Sequence, residues 1–178
     1  MKTHLRKLGA ISAMAVFAAF CPMPAQASKA ISPLSEKGLL NGLCNVPTVS
    51  EAGSETVQFK NGKAEWNGCT GQLGQTVIGD LNGDGINDGA CVFVYNSGGS
   101  GYFTSLLVFV ASENGAKPVG DRSLGDRSQV KSLKINHGTL TLDMLGHKSG
   151  DGASLPTQNR QAKFKVKNNA LVGPNNLQ

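Results

Sequence analysis

Between Gly79 and Gly89 the chain reads Asp-Leu-Asn-Gly-Asp-Gly-Ile-Asn-Asp. Counted from Asp80, oxygen-bearing side chains stand at positions 1, 3, 5 and 9 of this segment: Asp80, Asn82, Asp84 and Asp88. Gly85 occupies position 6, where a tight loop has to turn, and Ile86 at position 7 offers a backbone carbonyl. Calcium is a hard cation that takes six to eight oxygens at about 2.3–2.6 Å, and an oxygen at every second residue can curl around one such ion. Three carboxylates this close repel one another unless a cation lies between them. The spacing predicts a Ca2+ site built from Asp80, Asn82, Asp84, the Ile86 carbonyl and Asp88. The competing reading is an acidic turn held by Asx hydrogen bonds without metal.

Other chemistry-bearing residues are sparser. His147 begins a polar loop over residues 146–158 and lies near Asp143 and Asp151 in sequence, a combination that could supply a general base or hold a metal. A metal-dependent hydrolase is therefore the alternative function, with an inhibitor of another enzyme as a third. No serine has nucleophile-elbow surroundings, and Cys91 sits in the apolar run Ala90–Tyr95 with nothing to stabilise a thiolate. No catalytic residue is assigned. His137 reads as a solvated turn residue. The pairs Asp121-Arg122 and Asp126-Arg127 read as a network that fixes a loop, with a ligand-binding arginine as the sharper alternative. Asn96–Gly101 reads as a connection between strands. Tyr95 and Tyr102 flank it, either packed in a core or forming a platform for a glycan or peptide.

The elements that must position these groups are strands. Thr56–Lys60, Lys63–Trp66, Gln75–Gly79, Gln129–Ile135, Thr139–Leu145 and Ala162–Val166 are strand-like, and turn residues separate them. Asn61-Gly62 is a strong hairpin signal, and Asn136-His137-Gly138, Asn114-Gly115 and Asn168-Asn169 are further turns. Ala90–Tyr95 and Phe103–Ala111 are continuously apolar, as strands covered on both faces are. Ile31–Leu43 alone has helical spacing, with Ser35 as a candidate cap. The pattern predicts a mainly β fold: a single antiparallel β-sandwich or strongly curved sheet of about eight strands, with at most one short N-terminal helix.

Residues 1–27 read as a secretory signal peptide: Lys2, Arg6 and Lys7, then an apolar run from Leu8 to Phe20, then Ala25-Gln26-Ala27 as the cleavage pattern. Residues 28–178 form the one remaining β-rich domain, and no membrane span is expected after signal removal. The whole chain carries 17 Lys+Arg against 12 Asp+Glu. The signal removes three basic residues and no acidic one, so the mature net charge falls from +5 to +2. That leaves no basic patch for nucleic acid; Lys163, Lys165 and Lys167 alternate along one strand and read as a solvated face. Export to the periplasm or medium permits disulfides. Of the cysteines left, Cys44 and Cys69 are expected to pair, with Cys91 buried as a small hydrophobe.

The acidic loop resembles the strand–loop–strand calcium loops of FG-GAP and VCBS-type repeats, D-x-D/N-x-D-G-x-x-D, through Asp80, Asn82, Asp84, Gly85 and Asp88. It departs from the helix-flanked calcium motif, which needs a Glu where Cys91 stands. The single copy implies no propeller. A wider resemblance runs through Gly79–Gly85, Gly98–Phe103, Leu124–Arg127, Leu142–Met144 and Pro156–Gln158. It is to a family of uncharacterised bacterial exported proteins with one such loop in a β-rich domain. Members often carry adjacent cysteines just before the Pro-Thr, where Ser154 and Leu155 stand here. The resemblance implies a fold and a compartment and no activity. The expected function is an exported calcium-binding β domain with a structural or recognition role, and a protein or glycan as its partner.

Overall fold

The computed structural model describes residues 29–47, 54–152, 155–175 and 177. The proposed signal peptide lies outside the described residues. The architecture is mainly β: the described residues form eleven strands and one short helix, α1 (Glu36–Leu40). A five-stranded antiparallel sheet has the order β3-β4-β5-β6-β7, formed by Lys63–Trp66, Cys69–Gly79, Asp88–Asn96, Phe103–Ser112 and Gly115–Asp126. A four-stranded sheet has the order β11-β10-β9-β8, formed by Ala170–Val172, Gln158–Lys167, Thr139–Gly146 and Gln129–Asn136. A third, two-stranded sheet pairs β1 (Leu43–Pro47) with β2 (Ser54–Gln58).

The five-stranded sheet is the middle layer, and this explains its two continuously apolar strands. Successive side chains on a strand point to opposite faces. On β5 and β6, Ala90, Val92, Leu106, Val108 and Val110 pack against Leu140, Leu142 and Met144 of β9 and Phe164 of β10. The alternate residues Cys91, Phe93, Leu107 and Phe109 pack the other way, against Leu39 of α1, Val46 of β1 and Val57 of β2. Phe93 is the hub of the second core, stacked on Tyr95 with ring centroids 5.4 Å apart and meeting Phe59 edge-on at 5.8 Å. Each large apolar side chain buried in this way contributes about 1.5–3 kcal/mol. The outer sheet has one wet face, so β10 alternates: Ala162, Phe164 and Val166 are buried while Lys163, Lys165 and Lys167 are exposed.

Four details differ from the sequence expectation. Asn61 and Gly62 do turn the chain, with φ of 51° and 75°, but only the bridge Lys60–Lys63 follows. β2 leaves to pair with β1, because Gly62 and Asn61 are bound instead to Leu40 and Asn41 at the end of α1. The hairpin that does form joins β3 to β4 through Asn67-Gly68, with φ of 45° and 78°. The helix is shorter than Ile31–Leu43. Ser35 caps it by accepting the Gly38 N–H at 3.1 Å, and Gly42 follows its end. The described residues hold eleven strands rather than about eight: β1 was not visible in the pattern, and, separately, β4 and β7 run longer than their apolar stretches.

The expected Cys44–Cys69 disulfide is absent: Cys44, Cys69 and Cys91 are free. Cys44 packs with Cys91 in the second core. Cys69 opens β4 next to Thr70, which pairs with Asn96, whereas Cys91 pairs with Thr76. The five steps along β5 from Cys91 to Asn96 span about 17 Å, far beyond the reach of a disulfide. Cys91 does serve as a small buried hydrophobe. Burial pushes the Cys44 thiol up to about 11 and raises that of Cys91 further, the neighbouring Cys44 adding to it.

Candidate functional site

The 80–88 loop joins β4 to β5, and its backbone is wound on its own acidic side chains. Asp80 Oδ1 accepts the Gly83 N–H at 2.7 Å and its Oδ2 accepts the Gly85 N–H at 2.9 Å. Asn82 Oδ1 accepts from Asp84 N–H at 2.9 Å, and Asp84 Oδ1 from Ile86 N–H at 2.8 Å. The Asn82 amide donates to Asp84 Oδ2 at 2.9 Å. Gly83 and Gly85 take φ of 87° and 80°, left-handed values that favour glycine, and a side chain at either would have open space but a strained backbone. The Gly83 and Gly85 N–H groups hold the Asp80 carboxyl below the usual carboxylate range.

Asp88 is built differently. It is fully buried at the start of β5. Its Oδ2 accepts the Leu81 N–H at 3.0 Å, closing the loop, and its Oδ1 accepts the Ala111 N–H of β6 at 2.9 Å. Burial pushes its pKa up, against the opposing pull of the Ala111 and Leu81 N–H groups. The Ala111 contact crosses 23 residues of sequence, and no local spacing announces it. Among the described residues no three His, Cys, Asp or Glu side chains gather as a metal-holding group. Each carboxylate oxygen that accepts one N–H still has a second lone pair. Asn82 and Asp84 are exposed and line an open cleft of about 640 Å3 against the β6–β7 turn.

The second constellation is not brought together. His147 Nε2 lies 3.1 Å from the Asp126 carbonyl. Asp143 accepts from Ser132 and Gln161, at 2.7 Å each, and these two bonds lower its pKa. Asp151 accepts from the Lys148 N–H at 3.1 Å and from Thr157, which ties the base of its own loop and lowers its pKa too. Neither carboxylate is engaged with the imidazole. His137 is a turn residue with φ of 45°.

Of the two Asp-Arg pairs, Asp126-Arg127 is joined through its side chains, whereas Arg122 binds backbone carbonyls instead of the Asp121 carboxylate. Arg122 donates to the Leu171 and Pro174 carbonyls at 3.0 and 3.1 Å, fastening β7 to β11. Arg127 pairs with Asp126 at 2.7 Å and donates to the Ser100 carbonyl. Asp126 in turn accepts the Tyr102 N–H at 2.8 Å. Asn96 gathers the 97–101 connection by donating to the Gly99 and Gly101 carbonyls. Tyr95 belongs to the core, while Tyr102 is 54% exposed.

No family model, no curated protein and no solved structure matches the chain. Among the described residues no helix is long and apolar enough to cross a membrane.

Proposed function

We propose that this protein is an exported β-sandwich recognition domain whose 80–88 loop takes a calcium ion, with a structural rather than catalytic role for the metal. The observation that supports this reading is the loop itself. Asp80, Asn82 and Asp84 present oxygens at alternate positions around a backbone already turned by Gly83 and Gly85. Among the described residues no lysine or arginine forms an ion pair with Asp80, Asp84 or Asp88, and Lys117 and Lys167 only line the open clefts beside Asp84. The donors are carboxylate and amide oxygens, the set that suits calcium. The ion would draw on Asp80, Asn82, Asp84, the Ile86 carbonyl and Asp88. Bound there, it would lock the β4–β5 connection. The targeting pattern of residues 1–27 and the likeness to FG-GAP and VCBS-type loops agree with a module that meets calcium outside the cytoplasm.

The test is a thermal melt in calcium and in chelator. A ligand that binds only the folded state adds about 2.7 kcal/mol at a hundred times its Kd, so saturating calcium raises the melting temperature by several degrees. Asp84→Ala, on the exposed side of the loop, abolishes the rise while keeping the fold. Superimposable melts in calcium and chelator would sink the metal reading and leave an Asx-held turn.

A further inference from the structure

We propose that the uncovered corner of the five-stranded sheet, where β3, β4 and β5 end beside Tyr102, is a binding groove for a neutral oligosaccharide. The proposal deepens the recognition reading above and rests on it, but it does not need the metal. The groove is open to solvent and offers about 530 Å3, inside the range of roughly 300–1,000 Å3 typical of small-ligand sites.

Strand register builds its wall. Lys63 lies opposite Gln72, and Gln72 opposite Val94; one step along, Glu65 lies opposite Thr70. These residues therefore share one face of the sheet. It is the face that elsewhere packs against the outer sheet, but the outer sheet stops short of this corner. Farther across the same row Thr104 is already buried, donating to the Ser128 carbonyl. Gly74 adds no side chain to the groove, and the β4 bulge between Leu73 and Thr76 bends the sheet there.

Three properties choose the ligand. Lys63, Glu65, Thr70 and Gln72 are all exposed, and among the described residues none of their side chains makes a hydrogen bond or ion pair, so donors and acceptors of both kinds face the groove unspent. The one lysine and one glutamate cancel, which disfavours a phosphate, a nucleic acid or a strongly charged peptide. Tyr102 presents an exposed ring beside this polar row, an apolar face with a polar tip. A chain of neutral sugar rings offers the complement: hydroxyls in every direction and flat C–H faces.

The experiment is titration calorimetry of the purified chain with maltotriose, cellotriose and chitotriose at millimolar concentrations, in calcium and in chelator. Fluorescence of Trp66, the one tryptophan, is followed in parallel. Trp66 packs on the opposite face, where a Cβ on Gly71 would come within 2.8 Å of its ring. Binding of at least one trisaccharide is expected. Tyr102→Ala should weaken it about five- to tenfold, and Gln72→Ala about fivefold, with melting temperatures unchanged. Absence of binding by all three sugars overturns the groove, as does binding that both variants retain in full. Sugar binding in chelator upholds the groove even if the loop takes no ion. A calcium-raised melt without sugar binding removes the groove alone.

Discussion

β5 meets different surroundings at its two ends. At its start Asp88 is buried and the preceding loop spends its side-chain oxygens on its own backbone: Asp80, Asn82, Asp84 and Asp88 together accept six N–H groups from Leu81, Gly83, Asp84, Gly85, Ile86 and Ala111. At the far end, beside Val94, the polar side chains of Lys63, Glu65, Thr70 and Gln72 bond to nothing in the described chain. Both ends are rich in polar groups. The first is organised inwardly, so removing a group there leaves a backbone donor without a partner. The second is organised outwardly, so removing a group costs the fold nothing and costs only what the group would meet.

The sharpest way to break this contrast is Asp88→Ala. It strips the acceptor from two backbone N–H groups in the dry start of β5, and each orphaned buried donor costs about 1–3 kcal/mol. The expected loss is about 2–5 kcal/mol, read as a lower urea midpoint with an unchanged slope. Asp84→Ala releases only the Ile86 N–H and the Asn82 amide on the exposed side, where water replaces the lost bonds, and should cost about 1 kcal/mol or less in chelator. Equal losses from the two variants would mean that the loop is held as one unit and that Asp88 is not its anchor.

Much of this was legible in the sequence. The two apolar runs announced strands covered on both faces, and the strand-like stretch Thr139–Leu145 announced β9. The turn residues at His137-Gly138, Asn114-Gly115 and Asn168-Asn169 stand where chain reversals occur. The loop's alternating oxygens were visible because every partner but one lies within seven residues. What escaped was non-local. The Ala111 N–H that explains why Asp88 is buried comes from the neighbouring strand. The Asn61-Gly62 turn has good local chemistry, but the backbone of α1 captures it and sends β2 elsewhere. The groove was hidden because it depends on where the outer sheet ends. The sequence offered Cys44 and Cys69 as a pair, and only the packing of β1 over the central sheet separates them.

Acid titration sharpens the inward half of the comparison, because its two kinds of carboxylate have opposite signs. Asp80 has a folded pKa below its ordinary value of 3.8. Its contribution to stability is full above that value and is lost as pH falls through the folded pKa; Asp143 and Asp151 have the same sign. Asp88 has a folded pKa above 3.8. Its ionisation opposes folding at neutral pH, and that opposition is relieved as pH falls through the folded pKa towards 3.8. Asp88→Asn should therefore flatten the stability profile above pH 3.8, and Asp80→Asn should make the loss below it shallower. Melting temperatures from neutral to strongly acid pH read both slopes. A slope above pH 3.8 that persists in Asp88→Asn would mean that the buried carboxyl is not the group relieved there.

The smallest expected effect is the most discriminating for the outward half. Replacing Lys63, Thr70 and Gln72 singly by Ala removes no internal hydrogen bond and no ion pair, so each should shift stability by no more than about 0.5 kcal/mol. Strand propensity alone would make Thr70→Ala the least favourable of the three, since a β-branched residue fits a pleated surface better than alanine. The three changes lie on neighbouring strands, so their combination also tests whether they act separately: independent, unspent groups add, whereas a hidden network would show coupling. A triple variant that melts close to the sum of three small shifts leaves the row free for a ligand. A triple loss well beyond that sum would show the row to be holding β3 against β4, and the two ends of β5 would then differ in exposure but not in purpose.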